Sequence, residues 1–581
     1  MNGSQVVADF LLAFASLCRE GDVATLSPVQ RYELESKVNL FVARAETIRL
    51  TLPGFPLKSP DRDGKVLGAL PDVGERQALA FLNRFCESVK VFYAPGCVID
   101  LFSDGLTFND LLNIPRNVAN AYHHELRTLC ASPNIVWHSY STVDPSFDRE
   151  TGDVDTVLDP YWRTAPVESE ADIPLNGREL ELAVLLARER RSVFTEIDTP
   201  ESQRIEICAR RMVQRGIALD GFLAAKLPSG VRLTVHAPKH DTAKVPVKVH
   251  AGSDNGALPW HSVLLSQLNG EWLMLSKSDV IQNFDAAIVG KAGKPWYFAE
   301  GGGALGASCE ISVVHRDDFG LLITPRGVGV GEVDCMSLSS SAIAALTKRY
   351  GFVVLRGFRV DDEHALVKFT EQFGRPYEWQ FGAVHKIRPE KEANGYVHSF
   401  ESVPLHWDLS MLPLTHPLVQ QDEHFAASLF ALYCKSAPKS GEAMTTLVDA
   451  RHIVRQLDAQ TLAAWERVSL TYNTKMTYFG GVPRTFPLIT AHPETGEKVL
   501  RYQEGSESSL QRFEVSVATP GIAQDDLIQR VSDLAYATEN LVEHDWESGD
   551  IVMVDNYSVL HGRRAMSKAS AARELWRVQV Y

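Results

Sequence analysis

Val403-Pro404-Leu405-His406-Trp407-Asp408 sets a histidine and an aspartate two residues apart in an apolar stretch that is predicted to be extended. Side chains at i and i+2 of a strand leave the same face, so the imidazole and carboxylate converge while Trp407 turns away. That supplies two legs of a facial metal triad. The third is expected from a distant strand of the same barrel, and Asp555-Asn556-Tyr557-Ser558-Val559-Leu560-His561 offers a histidine just after a β segment. Two imidazoles and one carboxylate suit non-haem Fe(II) and leave three positions open, two for a 2-oxoacid and one for O2. The far carboxylate of such a cosubstrate needs a cationic fork. Arg573 precedes the final predicted strand and can reach the same cavity, and Arg577, one helical turn's worth of residues on, is a candidate for the carboxylate of the organic substrate.

Around this pair the second half of the chain is rich in strands. Ser341 to Tyr350 is predicted as a capped helix leading into the strand Phe352-Val353-Val354-Leu355. Further β segments run through Asp550–Asp555 to Trp576–Tyr581. Strands spread over the whole half, with helical insertions, predict a double-stranded β-helix or jelly roll. The first half has helical spacing over 5–48 and 74–90 and strand patterns over 231–236 and 262–265, so it is predicted to be mixed α/β. Gly301-Gly302-Gly303-Ala304-Leu305-Gly306 has the backbone freedom of a connection. The expected division is therefore a first domain over 1–300, a glycine-rich linker over 301–310 and a second domain over 311–581. The run Gly327-Val328-Gly329-Val330-Gly331 is expected to be a turn, since no strand-to-helix crossover with a ribose-binding acid follows it.

A chain of 581 residues exceeds what one hydrophobic core serves, which agrees with two domains. Its 45% hydrophobic and 23% charged residues are those of a globular protein. The net charge of −15 argues against nucleic acid and anionic membranes, both of which need a basic surface, and favours small-molecule partners. Eight scattered cysteines without a CxxC pair predict reduced thiols and a cytoplasmic location. Val6 to Ala15 lacks a preceding basic residue and contains Asp9, so it is predicted to be a buried helix and not a signal peptide. No apolar run approaches the ~20 residues of a membrane span.

Residues from about 311 onward resemble the taurine dioxygenase family of Fe(II)/2-oxoglutarate enzymes. The matching features are Asp318-Phe319-Gly320, Gly351-Phe352-Val353-Val354-Leu355-Arg356-Gly357-Phe358, the His406/Asp408 pair, His561 and Arg573-x-x-x-Arg577. The resemblance implies iron on His406, Asp408 and His561, and 2-oxoglutarate on Arg573. It also implies a cosubstrate contact from a threonine in a glycine-rich turn. Here that turn reads Ser440-Gly441-Glu442-Ala443-Met444-Thr445-Thr446, without the usual paired glycines, and points to Thr445. Halogenases of this chemistry lack the carboxylate, so Asp408 speaks against halogenation.

The first half carries polar groups in a distinctive order. Pro53-x-Phe55-Pro56-x-Lys58-Ser59-Pro60 is followed by Ser103-Asp104-Gly105-x-x-Phe108-x-Asp110, then Arg232-Leu233-x-Val235-His236, Lys244 and Pro259-Trp260-His261. Arg, Lys and His gathered at strand ends suit an anionic ligand such as a sugar phosphate. The ordered series resembles the isocyanide (isonitrile) synthase family of xanthocillin- and paerucumarin-type pathways, whose fold is Rossmann-like α/β. That resemblance implies condensation of an amino acid's amine with the ketone of ribulose 5-phosphate, followed by eliminations and carbon–carbon cleavage that leave one sugar carbon as the isocyanide. The acid–base candidates are Lys58, Ser103, Asp104, Asp110, Arg232, His236 and His261.

The whole chain is thus expected to be a bifunctional enzyme. Its first domain would convert an L-amino acid, tyrosine first, into a 2-isocyano acid, and its second would decarboxylate and desaturate that acid to a vinyl isocyanide. The alternative is a hydroxylase of a free amino acid with a non-catalytic binding module in front. The sequence does not indicate an oligomeric state.

Overall fold

The structure is a computed structural model that describes all residues except 1–2, 163–200, 237–241, 252–255, 394, 475–481 and 509. Two units divide the chain: Met1–Ser266 with Trp272–Phe284 and Pro295–Phe298, and Gln267–Glu271 with Asp285–Lys294 and Ala299–Tyr581.

In the first unit, strands β1 (Ile48–Pro53), β2 (Cys97–Phe102), β3 (Ile135–His138), β4 (Val231–Thr234) and β5 (Val245–Pro246) lie in the order β3-β2-β1-β4-β5, with every pair parallel. Parallel neighbours need crossovers, and helices supply them. Helices α1 (Gly3–Phe14) and α2 (Pro28–Ala43) precede β1, α3 (Val73–Lys90) and α4 (Arg116–Thr128) follow β1 and β2, and α5 (Glu201–Lys226) leads into β4. The sheet contributes Ile48, Leu50, Leu52, Ile99 and Leu101 to a single core with Phe10, Phe14, Leu79, Leu82 and Phe85. The apolar stretch at 6–15 is thus a core helix, with Val6, Phe10 and Phe14 buried. From β1 the chain builds the sheet in one direction through β2 and β3, then returns to build the other through β4 and β5. A crevice is expected at such a switch, outside the carboxyl ends of β1 and β4.

The loop after β1 is tied down by a buried ion cluster. Lys58 Nζ lies 2.8 Å from Asp72 and 2.9 Å from Glu75, with the charged groups all but sealed from solvent, and donates to the Pro259 carbonyl at 2.8 Å. Asp72 is the N-cap of α3 and Glu75 closes the capping box, so one lysine contacts both acids of that cap, and burial pushes the Glu75 carboxyl up to about 7. Tyr122 of α4 donates to Glu75 at 3.1 Å.

The second unit is rich in strands, and eleven of them frame its site. In chain order they are β6 (Cys309–Arg316), β7 (Phe319–Pro325), β8 (Phe352–Leu355), β9 (His385–Ile387), β10 (Val403–His406), β11 (Leu429–Ser436), β12 (Thr445–Asp449), β13 (Leu541–His544), β14 (Ile551–Asp555), β15 (Val559–Arg563) and β16 (Glu574–Val580). Seven of them are consecutive neighbours in one larger sheet, in the order β9-β16-β11-β14-β8-β7-β6, and the other four form a second sheet, β10-β15-β12-β13. All these pairs are antiparallel except β7 with β8. Side chains of both sheets, among them Phe430, Val552 and Val554 from the first and Leu447 and Val559 from the second, meet in one apolar cluster. Residues 301–310, expected as a linker, fold with this unit: Gly301 turns at φ +79, Gly303–Gly306 is a short helix and Cys309 opens β6. The glycine run 327–331 lies in turns and bends. Among the described residues no helix is long and apolar enough to cross a membrane, and all eight cysteines are free thiols.

Removing one member of a buried ion cluster leaves the others uncompensated, which costs about 3–5 kcal/mol. Lys58→Ala should therefore lower stability by about that much in denaturant or thermal unfolding; a loss below about 1 kcal/mol, the scale of an exposed pair, would contradict the cluster's burial.

Candidate active sites

In the second unit, β10 pairs with β15 so that His406 stands opposite His561 and Val403 opposite Arg563. Two residues of β10, Pro404 and Leu405, thus oppose the single Gly562 of β15, a bulge that holds Pro404, whose missing N–H needs no ladder partner there. The two backbones approach closely: a Cβ on Gly562 would lie 2.6 Å from the Val403 carbonyl oxygen. The two imidazole centroids are consequently 4.2 Å apart.

The expectation that His406 and Asp408 share one strand needs correction. His406 ends β10, and Asp408 lies past it at the start of a turn, where Leu409 takes φ +63. The carboxylate still converges because Asn556 clamps its backbone. Asn556 Oδ1 accepts the Asp408 N–H at 2.8 Å, and its Nδ2 donates to the carbonyls of Asp408 at 3.1 Å and Ala427 at 2.8 Å. Trp407 turns into the core against Tyr472 and Phe486.

Asp408 Oδ1 lies 3.7 Å from His406 Nε2 and 3.6 Å from His561 Nε2, and the three residues can present one ligand atom each within 4.8 Å of one another. His406 Nδ1 faces the Pro404 carbonyl at 2.8 Å, which places its proton there and frees Nε2. Burial, then the neighbouring His561, pushes His406 down to about 3, so the ring is neutral. Burial alone would raise the Asp408 carboxyl, but Arg577 and the two histidines hold it far below the usual range. A buried carboxylate whose Oδ2 has no partner among the described residues, together with two imidazoles, is a donor set that fits Fe(II).

Beside the triad a narrow cavity of about 50 Å³ reaches Thr445 and Arg573. Arg573 is 2% exposed, and its Nε and Nη1 have no partner among the described residues. Burial lowers its guanidinium to about 10, which leaves it charged. Thr445 Oγ1 accepts from Trp546 Nε1 at 3.0 Å. A larger cavity of about 460 Å³ opens on His406, Asp408 and Arg577. Arg577 donates to Asp408 at 3.0 Å and to His385 Nδ1 at 3.0 Å, contacts that local spacing could not show.

In the first unit, a cavity of about 360 Å³ lies at the carboxyl ends of β1, β2 and β4, the place where the strand order switches. Of the seven sequence candidates, Asp104, His236 and His261 line it. Asp104 is nonetheless well partnered, accepting from the N–H groups of Leu106 and Tyr140 and from Arg149 at 2.8 Å. The other four lie off the cavity. Lys58 belongs to the buried cluster, Ser103 donates to the Phe55 carbonyl at 2.7 Å, and Asp110 accepts from Arg215 at 2.6 Å. Arg232 donates to Asp220 at 3.1 Å. Lys244, which pairs with Asp220, does line the cavity. Asp220 was not apparent from the sequence, although Met212, Gly216 and Asp220 repeat every four residues along one face of α5 and all face this cavity.

Residues 322–579 match the family described as "Taurine catabolism dioxygenase TauD, TfdA family". Residues 38–153 and 193–288 match the family described as "Pyoverdine/dityrosine biosynthesis protein". The chain is 26% identical to isocyanide synthase xanB of Aspergillus fumigatus, with 92% of this chain and 75% of that protein covered. It is 25% identical to isocyanide synthase A of the same fungus, with 94% and 93% covered. It is also 28% identical to the tyrosine isonitrile desaturase of Pseudomonas aeruginosa over 46% of this chain and 89% of that protein. The chain is therefore an enzyme that joins an isocyanide synthase domain to a C-terminal domain of the TauD/TfdA family, whose members imply Fe(II), 2-oxoglutarate and O2.

Proposed function

We propose that the first unit converts an L-amino acid, tyrosine first, and ribulose 5-phosphate into a 2-isocyano acid, and that the second oxidises this acid to a vinyl isocyanide. The observation that carries the reading is the pairing in one chain of two sites. One is a cavity with histidines and a lysine at a strand-order switch; the other is a buried His406/Asp408/His561 cluster beside an arginine with two donors unpartnered among the described residues. Relatives that span both halves are isocyanide synthases, and a relative of half the chain is named for desaturating tyrosine isonitrile.

In the first cavity Lys244 supplies positive charge for the sugar phosphate, while His236, His261 and Asp104 stand where protons must move during imine formation and elimination. Lys58, Ser103, Asp110 and Arg232 serve by holding the walls. Lys58 fixes the loop after β1, Ser103 the turn at Phe55, Asp110 the helix α5 through Arg215, and Arg232 the side chain of Asp220.

In the second unit His406, Asp408 and His561 hold the metal, and the two sheets form the double-stranded β-helix that presents them. Iron with 2-oxoglutarate and O2 supplies the two-electron oxidation that removes a β-hydrogen and CO2 from the acid. Arg573, with Thr445 beside it, takes the far carboxylate of 2-oxoglutarate. Arg577 faces the larger cavity and orients the substrate's carboxylate.

Incubated with L-tyrosine and ribulose 5-phosphate, the protein should form the 2-isocyano acid without iron and the vinyl isocyanide once Fe(II), 2-oxoglutarate and O2 are added. His406→Ala should stop at the acid. Mass spectrometry decides: no isocyanide in the iron-free reaction would overturn the first step, and vinyl product from His406→Ala would overturn the ligand set. Arg573→Met should weaken apparent binding of the oxoacid cosubstrate by roughly ten- to a hundredfold in steady-state titrations, the ~1.5–3 kcal/mol of a charged hydrogen bond, with apparent binding of the isocyano acid little changed. Equal effects on both would contradict the assignment.

A further inference from the structure

Arg577 is held by a chain of hydrogen bonds that leads away from the metal cluster. Strand β9 pairs antiparallel with β16, and His385 stands directly opposite Arg577. Arg577 Nη1 donates to Asp408 and its Nη2 reaches His385 Nδ1, both at 3.0 Å, while its buried Nε has no partner among the described residues. His385 Nε2 faces His398 Nε2 at 3.1 Å, and His398 Nδ1 faces the Arg388 carbonyl at 3.1 Å.

Only one placement of protons satisfies every member of this chain. A guanidinium only donates, so His385 Nδ1 must be the acceptor and its proton sits on Nε2. That N–H meets His398 Nε2, which must accept, so the His398 proton sits on Nδ1 and points at the Arg388 carbonyl, which only accepts. An extra proton on either ring would set one N–H against another, at His398 or at Arg577. The surroundings of His385 agree: burial, then Arg577 and His398, push it down to about 3, and the Phe381 ring lies 5.2 Å away. Glu390, 3.8 Å from His398 Nδ1, is the acid on the outer end of the chain, and Asp408 lies beyond Arg577 at the inner end.

We propose that His385 and His398 form a relay of two neutral imidazoles that aims Arg577 into the substrate cavity, which makes both histidines positioning residues for the acid oxidised by the second unit. His385, His398, Arg577 and Asp408 all line that cavity of about 460 Å³. Held between Asp408 and His385, the guanidinium keeps one orientation before substrate arrives, so a carboxylate meets a preset donor edge. Without His385, Arg577 keeps only Asp408, and its long side chain regains the rotamers that binding must then remove. The proposal rests on reading the substrate as a carboxylic acid.

Long-range proton–nitrogen spectra of the full chain carrying ¹⁵N-histidine, metal-free and zinc-loaded, read the relay without any substrate. The His385→Asn and His398→Asn variants assign the signals. Near neutral pH, His385 should be protonated on Nε2 only and His398 on Nδ1 only. A doubly protonated ring, or His385 protonated on Nδ1, would overturn the relay. Kinetically, His385→Ala should raise the Michaelis constant for the isocyano acid by about tenfold, the loss of about one hydrogen bond to a charged group, while turnover and the Michaelis constant for the oxoacid cosubstrate change less. His385→Asn, whose amide oxygen can take the Arg577 N–H, should recover most of that loss; equal damage in both variants would refute the positioning role. If the wild-type protein oxidises no 2-isocyano acid, the functional reading fails, while the spectra still decide the relay.

Discussion

The approach of β10 to β15 is the constraint on which the second unit depends. It sets His406 opposite His561, and it is possible only because residue 562 has no side chain to strike the Val403 carbonyl. The bulge at Pro404 then ends the strand at His406, so the carboxylate of Asp408 must be positioned by other means. Asn556 does this by binding both the N–H and the carbonyl of Asp408, and Arg501 donates to the carbonyl of Asn556 at 2.9 Å while lying 4.6 Å from the Trp407 ring. Arg573 and Arg577 reach the same place from either side of one strand's start. One keeps donors unpartnered among the described residues in the narrow cavity, and the other is tied to Asp408 and His385 on the wider one.

The first unit solves a different problem. Its cavity is made by topology, at the carboxyl ends of strands on either side of a reversal in order. Paired charges lie behind its walls, off the cavity lining. Lys58 joins two acids of a helix cap, and Arg215 joins Asp110 to Asp155. A charge as deeply buried as that of Lys58 is costly unless paired, which is why it serves as a strut.

What could be read from the sequence follows from how local each signal is. The span of α3 at Val73–Lys90 and the strand Phe352–Leu355 follow from periodicity, and the His406/Asp408 pair follows from a two-residue spacing. His385 opposite Arg577 does not, because the pairing depends on a register between residues nearly two hundred positions apart. Lys58 and Ser103 looked like reagents because motif position says nothing about burial; the fold seals both and pairs both. Asp220 was hidden because its significance lies in which face of α5 meets the cavity. The strand expected to carry Asp408 stops short for a reason also visible in the chain, a proline two residues before His406, whose effect depends on the partner strand.

The central claim is that one polypeptide makes a carbon–nitrogen bond at the ketone carbon of a sugar phosphate and then oxidises the product. The most direct measurement uses ribulose 5-phosphate with ¹³C at the ketone carbon and L-[¹⁵N]tyrosine, followed by ¹³C NMR of the complete reaction with iron, 2-oxoglutarate and O2. The account predicts a single labelled isocyanide carbon, coupled to ¹⁵N and attached to a vinyl group. A product in which ¹³C and ¹⁵N are not bonded, or recovery of a hydroxylated amino acid with the sugar phosphate untouched, would contradict it.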